Sequence, residues 1–98
     1  MARIAWVPEA ADELEHAWQW YADRNPVAAE RSADEVVRVL DVIAEALGRW
    51  MVVGHGTRRV PLQRFPFKVV YRWEPGDDVV RVVAIAHGKR RDGYWRAR

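Results

Sequence analysis

The first half of the chain carries one short strand pattern followed by two helix patterns. Apolar and polar residues alternate over residues 3–7, which predicts a strand. Apolar residues then recur at spacings of three and four, which predicts two amphipathic helices, one over residues 9–24 and one over residues 26–47. A connection of about three residues joins them, so we expect an antiparallel helical hairpin.

Residues that favour helix ends support these boundaries. Pro8 fits the first position of the first helix, where the missing N–H costs nothing. Asn25-Pro26 fits the N-cap and first position of the second helix. Gly48 follows the last apolar position of that helix, so we expect it directly after the helix end.

The second half changes to the two-residue period of strands. Residues 57–63 form the first candidate, and Pro61 restricts it to an edge or a bulge. Residues 67–74 alternate clearly, and a Pro-Gly-Asp-Asp turn at 75–78 follows. Residues 79–86 are apolar on nearly both sides, which is typical of a strand in the middle of a sheet.

The predicted order is β-α-α-β-β-β, which is an α+β fold. We expect the helical hairpin to pack on one face of a small, mostly antiparallel sheet. The other face is then available for binding, and most basic residues fall on the second and third strands and on the tail after residue 86.

Length and composition narrow the class of protein. The 98 residues fit one domain, over residues 1–98, and half of them are hydrophobic, which favours a packed core over disorder. Cysteine is absent, which excludes a disulfide framework and a thiol nucleophile. The N-terminus lacks the apolar segment of a signal peptide, and no apolar run is long enough to span a bilayer. We therefore expect a cytoplasmic protein with no membrane partner.

The net charge of +2 hides an uneven distribution. Residues 1–48 hold ten acidic and four basic side chains, whereas residues 49–98 hold four acidic and twelve basic ones. A basic half suggests an anionic partner, either nucleic acid or an acidic protein segment. The alternative is that the two halves neutralise each other within the fold.

Motifs for metals and cofactors are missing from the sequence. The three histidines lie 39 and 32 residues apart, and no pair of carboxylates shows metal-ligand spacing. The short Gly54-His55-Gly56 run lacks the length and the preceding strand of a phosphate loop. We therefore expect neither a metal nor another cofactor.

Four segments, in this order and spacing, resemble the RelE/ParE superfamily of bacterial type II toxin–antitoxin toxins. They are WYADRNPVAA at 20–29, GTRR at 56–59, FPFKVVYR at 65–72 and the stretch from His87-Gly88-Lys89 to Tyr94-Trp95-Arg96. The resemblance covers nearly the whole chain. Two loops depart from it, since residues 49–53 and Asp92 occupy places where the superfamily often has proline.

The resemblance implies a toxin that is neutralised by a cognate antitoxin, with an acidic or amphipathic segment as the expected contact and a joint oligomer as the expected assembly. ParE-like members poison DNA gyrase, and RelE-like members are ribosome-dependent, metal-independent endoribonucleases that cleave mRNA. The residues of the first and last of these segments look more like those of ParE-like members than those of RelE-like members. The alternatives are a RelE-like enzyme, and a non-toxic domain of the same fold that only binds antitoxin or nucleic acid.

In the RelE-like alternative the resemblance implies four catalytic residues. Lys68 and Arg90 fall on arginine positions of the ribonucleases, and Tyr94 falls near their C-terminal tyrosine. Arg59 supplies a cation from the second strand, and His87 is a possible general base because the pKa of an ordinary histidine lies near neutrality.

Other cationic and aromatic side chains are candidates for contacts with nucleic acid or the target. These candidates are Arg58, Arg64, Arg72, Lys89, Arg91, Trp95 and Arg96. Structural alternatives stand beside them. The strand cations fit solvated outward positions, His87 fits a hydrogen-bonded strand end, and Tyr94-Trp95 fits a hydrophobic clasp that pins the tail to the core. Trp18 and Trp20 point about 200° apart on a helix, so one of them should lie outside the core.

Overall fold

The predicted element order is confirmed. The computed structural model of the protein describes residues 2–98 and has six elements. They are β1 (Arg3–Trp6), α1 (Pro8–Arg24), α2 (Pro26–Glu45), β2 (Arg58–Pro61), β3 (Phe67–Glu74) and β4 (Val79–His87). Two helices pack on a mixed four-stranded sheet, as the α+β prediction required.

The strands lie in the order β1-β4-β3-β2, which places the apolar β4 inside the sheet as predicted. β1 runs parallel to β4, and the helical hairpin, β2 and β3 lie between the two strands in the chain. β3 is antiparallel to β4 and to β2, and a bulge interrupts β3 against β4 at Val70/Tyr71. Pro61 is the last residue of the edge strand β2, a position at which proline is tolerated, and the Leu62 N–H after it still donates to the Phe67 carbonyl at 2.9 Å.

Asn25 joins the two helices. Its backbone N–H donates to the Tyr21 carbonyl at the end of α1, and its side-chain oxygen accepts from the Ala28 N–H at the start of α2 (3.2 Å). Pro8 and Pro26 occupy the first helical positions, as predicted. The resulting sharp turn gives the antiparallel hairpin that the sequence predicted.

The predicted end of α2 at residue 47 is wrong, because the helix stops at Glu45. The Leu47 carbonyl accepts the Tyr71 hydroxyl from β3 (3.0 Å), and the Gly48 carbonyl accepts the Arg58 guanidinium (3.4 Å). Side chains of the sheet thus satisfy two backbone carbonyls just past the end of the helix. The predicted strand 57–63 is likewise shorter, at Arg58–Pro61.

The main core lies between α2 and one face of the sheet. Val36, Val39 and Ile43 of α2 pack with Val69 and Tyr71 of β3, among other buried residues. Both Trp18 and Trp20 lie largely outside this core, with 41% and 53% of their surface exposed. The sequence predicted only one of them outside, and the second is therefore an additional exposed aromatic ring on α1.

Candidate functional site

The C-terminal tail folds back over the sheet face that the helices leave open. Trp95 is 1% exposed and packs with Val70 of β3 and with Val83, Ala84 and Ala86 of β4. These small apolar side chains on the second face need cover from water. The expectation of a wholly free second face is therefore wrong, since the tail covers part of it, and the clasp alternative for Trp95 describes its position.

A carboxylate on α1 anchors the end of this tail. Glu13 accepts the Tyr94 hydroxyl at 2.5 Å and pairs with Arg98, whose Nη1 lies 2.7 Å from Glu13 Oε1. The same oxygen accepts the backbone N–H of Ile85 at 3.1 Å. Burial, together with the bond to the Glu13 carboxylate, raises the pKa of Tyr94 well above its usual range. Tyr94 is therefore a neutral donor at any physiological pH.

A second carboxylate holds two of the candidate cations. Arg59 Nη1 lies 2.6 Å from Asp92 Oδ1 and 2.8 Å from Oδ2, and Lys68 Nζ lies 3.1 Å from Oδ1. Hydrogen bonds from Arg59 and then from Lys68 hold the pKa of Asp92 below its usual range. Both cations also lie over the Trp95 ring, at 5.0 and 5.3 Å from its centroid.

An open groove of about 560 Å³ runs between α1 and the adjoining ends of β3 and β4. Its aromatic and basic lining includes Trp20 and Tyr21 from α1, Phe67 from β3, His87 from β4 and Arg90 from the tail. The apolar walls and the exposed Trp20 ring make this groove suited to a protein or peptide partner.

Two tail-side residues define the mouth of this groove. The Arg90 guanidinium stacks 4.0 Å from the centroid of the Tyr94 ring. His87 Nδ1 accepts the Lys89 backbone N–H at 3.0 Å, and its ring meets Phe67 edge-on at 5.1 Å. His87 is thus the hydrogen-bonded strand end of the structural alternative, with its other ring nitrogen still open to a partner.

The remaining candidates fall into two groups. Arg58 donates to the Gly48 and Trp50 carbonyls, so it braces the loop before β2. The Arg72 guanidinium lies 3.5 Å from the His55 carbonyl and is only partly exposed. Four others are exposed and extend the basic surface of the tail and of the loop before β3. These four are Arg64, Lys89, Arg91 and Arg96.

The structure therefore divides the four ribonuclease candidates into two clusters. Arg59 and Lys68 surround Asp92, whereas Arg90 and Tyr94 stack together beside Glu13. The edge-on contact of Tyr94 with Trp95, 5.2 Å between ring centroids, separates the two clusters. Three of these four side chains are therefore already held by a carboxylate, Arg59 and Lys68 by Asp92 and Tyr94 by Glu13, whereas cleavage through a 2′-OH would require a free base and unpaired cations.

Glu13 and Arg98 are functional-site residues that sequence reasoning missed. No motif in the sequence singled out Glu13 or Arg98. Asp92 was noticed only as a departure from the superfamily pattern. The available signal for Glu13 was its position, since it is a charged residue on the otherwise apolar face of the first predicted helix.

Two further properties concern the part of the chain that the structure describes. Within residues 2–98, no three His, Asp or Glu side chains come together as a metal-binding group. No helix in the same range is both long and apolar enough to cross a membrane.

Comparison with known proteins agrees with this geometry. The sequence matches, over residues 4–92, the family model of the ParE toxin of the type II toxin-antitoxin system parDE. None of the curated proteins matches it. The fold is similar to a chain of the chromosomal ParDE system from P. aeruginosa, with a TM-score of 0.73, 20% identity and coverage of 89% of this chain and 96% of that one.

Two structures of the RelE branch are also similar. A chain of the intact E. coli RelBE toxin-antitoxin complex has a TM-score of 0.66 and 15% identity, covering 92% of this chain and 100% of that one. The isolated E. coli RelE toxin has a TM-score of 0.62 and 16% identity, with 99% and 95% coverage. At these identities the likeness concerns the fold.

Proposed function

Because the chain belongs to the ParE toxin family of type II toxin–antitoxin systems, we propose that it inhibits DNA gyrase and is neutralised by a cognate antitoxin. A gyrase inhibitor needs no catalytic group, since it acts by binding and holding its target. The requirement is an accessible surface with apolar anchors and cations, in the cytoplasm where gyrase works.

The single observation that carries this proposal is the state of the would-be catalytic groups. Tyr94 donates its hydroxyl to Glu13, and its raised pKa keeps the hydroxyl protonated near neutral pH, so no phenolate is available to act as a general base. This state of Tyr94 favours the ParE-like function over the RelE-like ribonuclease, whether or not Asp92 stays paired with Arg59 and Lys68.

The groove beside α1 is the surface best suited to the target. Trp20 is 53% exposed, and the Arg24 guanidinium stacks 4.0 Å from its ring centroid. Exposed aromatic rings beside arginine are the commonest residues of high binding energy at protein interfaces. Arg90 at the mouth of the groove and its exposed neighbours Lys89 and Arg91 add positive charge for contacts with DNA held by the gyrase.

The antitoxin is expected to be acidic or amphipathic for the same reason. Residues 49–98 carry a balance of +8, and most of that charge lies on the exposed tail and the sheet side. An acidic segment would be drawn to this surface and would compete with the target for it. We expect toxin and antitoxin to form a joint oligomer.

A paired assay tests the proposal. Purified protein is added to a gyrase supercoiling reaction and, separately, to translating ribosomes with a labelled mRNA. We expect supercoiling to stop and the mRNA to stay intact. Trp20→Ala should raise the half-inhibitory concentration about tenfold or more, as for an interface anchor. Trp18→Ala, on the same helix but outside the groove, is the matched control and should change it less than about twofold.

Other results of the same assay would support one of the two alternative functions. Cleavage of the mRNA within codons, lost in Arg90→Ala and Tyr94→Phe, would establish the RelE-like enzyme instead. If neither reaction responds and expression does not slow growth, the chain is a non-toxic domain that only binds antitoxin or nucleic acid.

A further inference from the structure

Arg59 and Lys68 form a pair of cations that the sheet itself holds in place. In the β2–β3 register Arg59 lies opposite Val70 and Pro61 lies opposite Lys68, so the two cations are diagonal neighbours on one face. Their side chains are 24% and 26% exposed, and both lie over the Trp95 ring. Two like charges fixed this close favour an anion between them.

Asp92 supplies that anion incompletely. Both of its carboxylate oxygens contact the same Arg59 nitrogen, Nη1, rather than spreading over two nitrogens of the guanidinium. Arg59 Nε is buried without an acceptor. The single carboxylate also neutralises only one of the two positive charges, so the cluster keeps a net positive charge. The site therefore has more donors and more charge than Asp92 satisfies.

Asp92 is also weakly held. Its side chain is 59% exposed, and ion pairs at such exposed positions add little to the stability of a fold. The tail does not depend on this contact, because Trp95 is buried and Arg98 is paired with Glu13. The Asp92 side chain can therefore swing away while the rest of the tail stays docked.

We propose that Arg59 and Lys68 form a phosphate-binding site that the Asp92 carboxylate occupies in the free protein, and that a phosphate group displaces Asp92 from it. A phosphate group offers more acceptor oxygens than a carboxylate and can use two guanidinium nitrogens at once. Its source is either a nucleic-acid backbone or a free phosphate ion. The site does not depend on the gyrase proposal, since it is tested by direct binding.

The test compares two variants with the same change in net charge. Asp92→Asn removes the internal carboxylate, and Asp77→Asn removes an exposed one in the β3–β4 turn. Calorimetry with inorganic phosphate and fluorescence anisotropy with a labelled DNA duplex measure the two sources separately. We expect Asp92→Asn to bind at least one probe about fivefold more tightly than Asp77→Asn, the ratio that ~1 kcal/mol gives.

The gain must also depend on the cations. Asp92→Asn/Lys68→Met should lose it, and Asp92→Asn/Lys68→Arg should keep it, with circular dichroism verifying that each variant is folded. A gain with the duplex alone places the source in the nucleic-acid backbone, and a gain with inorganic phosphate alone places it in a small anion. Equal affinities of Asp92→Asn and Asp77→Asn for both probes would overturn the site. A gain that survives Lys68→Met would overturn it as well.

Discussion

Glu13 and Arg98, 85 residues apart in the chain, form an ion pair that replaces a missing strand at the edge of β4. Backbone pairing with β1 ends where the Val7 N–H donates to the Val82 carbonyl. Beyond that point Arg98 donates to the Val83 carbonyl at 3.1 Å, and Glu13 accepts the Ile85 N–H. The two side chains thus satisfy polar backbone groups of β4 that would otherwise be unpaired.

Arg98→Ala should destabilise the fold because it leaves the Glu13 carboxylate and the Val83 carbonyl with fewer partners. The pair is 15% and 17% exposed, so the expected loss is about 1–3 kcal/mol, below that for a fully buried pair. Urea unfolding followed by circular dichroism measures it. Arg96→Ala removes the same charge from an exposed neighbour and should cost less than about 0.5 kcal/mol.

The Glu13–Arg98 ion pair also leads to a prediction for the exchange of a single backbone amide. In Glu13→Ala the Ile85 N–H loses its acceptor, so its amide exchange should become faster, while amides in the β3–β4 ladder stay protected. In Arg98→Ala the Ile85 amide should stay protected because Glu13 is still present. Equal exchange of Ile85 in both variants would contradict this assignment of the ladder bond.

Tyr94 makes stability sensitive to alkaline pH. Its pKa is raised in the folded state, so the unfolded chain loses the phenolic proton first, and the contribution of Tyr94 is lost as pH rises above about 10. Tyr94→Phe should be less stable than wild type at pH 8, because the bond to Glu13 is missing, and this gap should narrow between pH 10 and 11. Urea unfolding across that range measures the gap. A constant gap would show that the pKa of Tyr94 is the same in the folded and the unfolded state.

Asn25 controls the turn between the helices. Asn25→Ala should cost about 1 kcal/mol because the Ala28 N–H at the start of α2 loses its acceptor. Asn25→Ser keeps a capping oxygen and should cost only about a few tenths of a kcal/mol. Thermal unfolding of the two variants gives the comparison, and equal losses would assign the effect to the turn backbone instead of the cap.

The strands and helix starts were predictable because their signals are local. The bounds of β3, residues 67–74, follow from alternation between a proline and a Pro-Gly turn, and Asn25-Pro26 contains its own cap. The end of α2 was not predictable. The apolar pattern continues past Glu45 to Leu47, whose carbonyl instead accepts the Tyr71 hydroxyl from a strand 24 residues away, a contact that no local pattern shows.

The site was less predictable for the same reason. Basic residues were correctly assigned to the strands and the tail, but their partners were not visible in any local pattern. Arg59 meets Asp92 33 residues later, and Glu13 meets Arg98 only after the sheet is complete. Sequence alone therefore identified the charges, whereas the fold decides which of them are neutralised and which are exposed.

Trp95 is the residue that joins the tail to the sheet, and its replacement tests the clasp directly. Trp95→Ala should cost about 3–5 kcal/mol because a nearly fully buried ring is lost, and this is a large share of the stability of a small domain. Trp95→Phe should cost clearly less. The indole N–H is buried without an acceptor, so its removal eliminates an unsatisfied donor and leaves only a smaller ring to pack.

Circular dichroism during urea unfolding is the suitable measurement, because six tryptophans make fluorescence hard to assign. Trp18→Ala is the control, and because the Trp18 ring is 41% exposed its loss should cost clearly less than the loss of the Trp95 ring. If Trp95→Ala proves unfolded, Trp95→Phe still gives a graded value. A loss in Trp95→Ala no larger than in Trp18→Ala would mean that the tail does not pack on the sheet, and the cover over Arg59 and Lys68 would then be absent in solution.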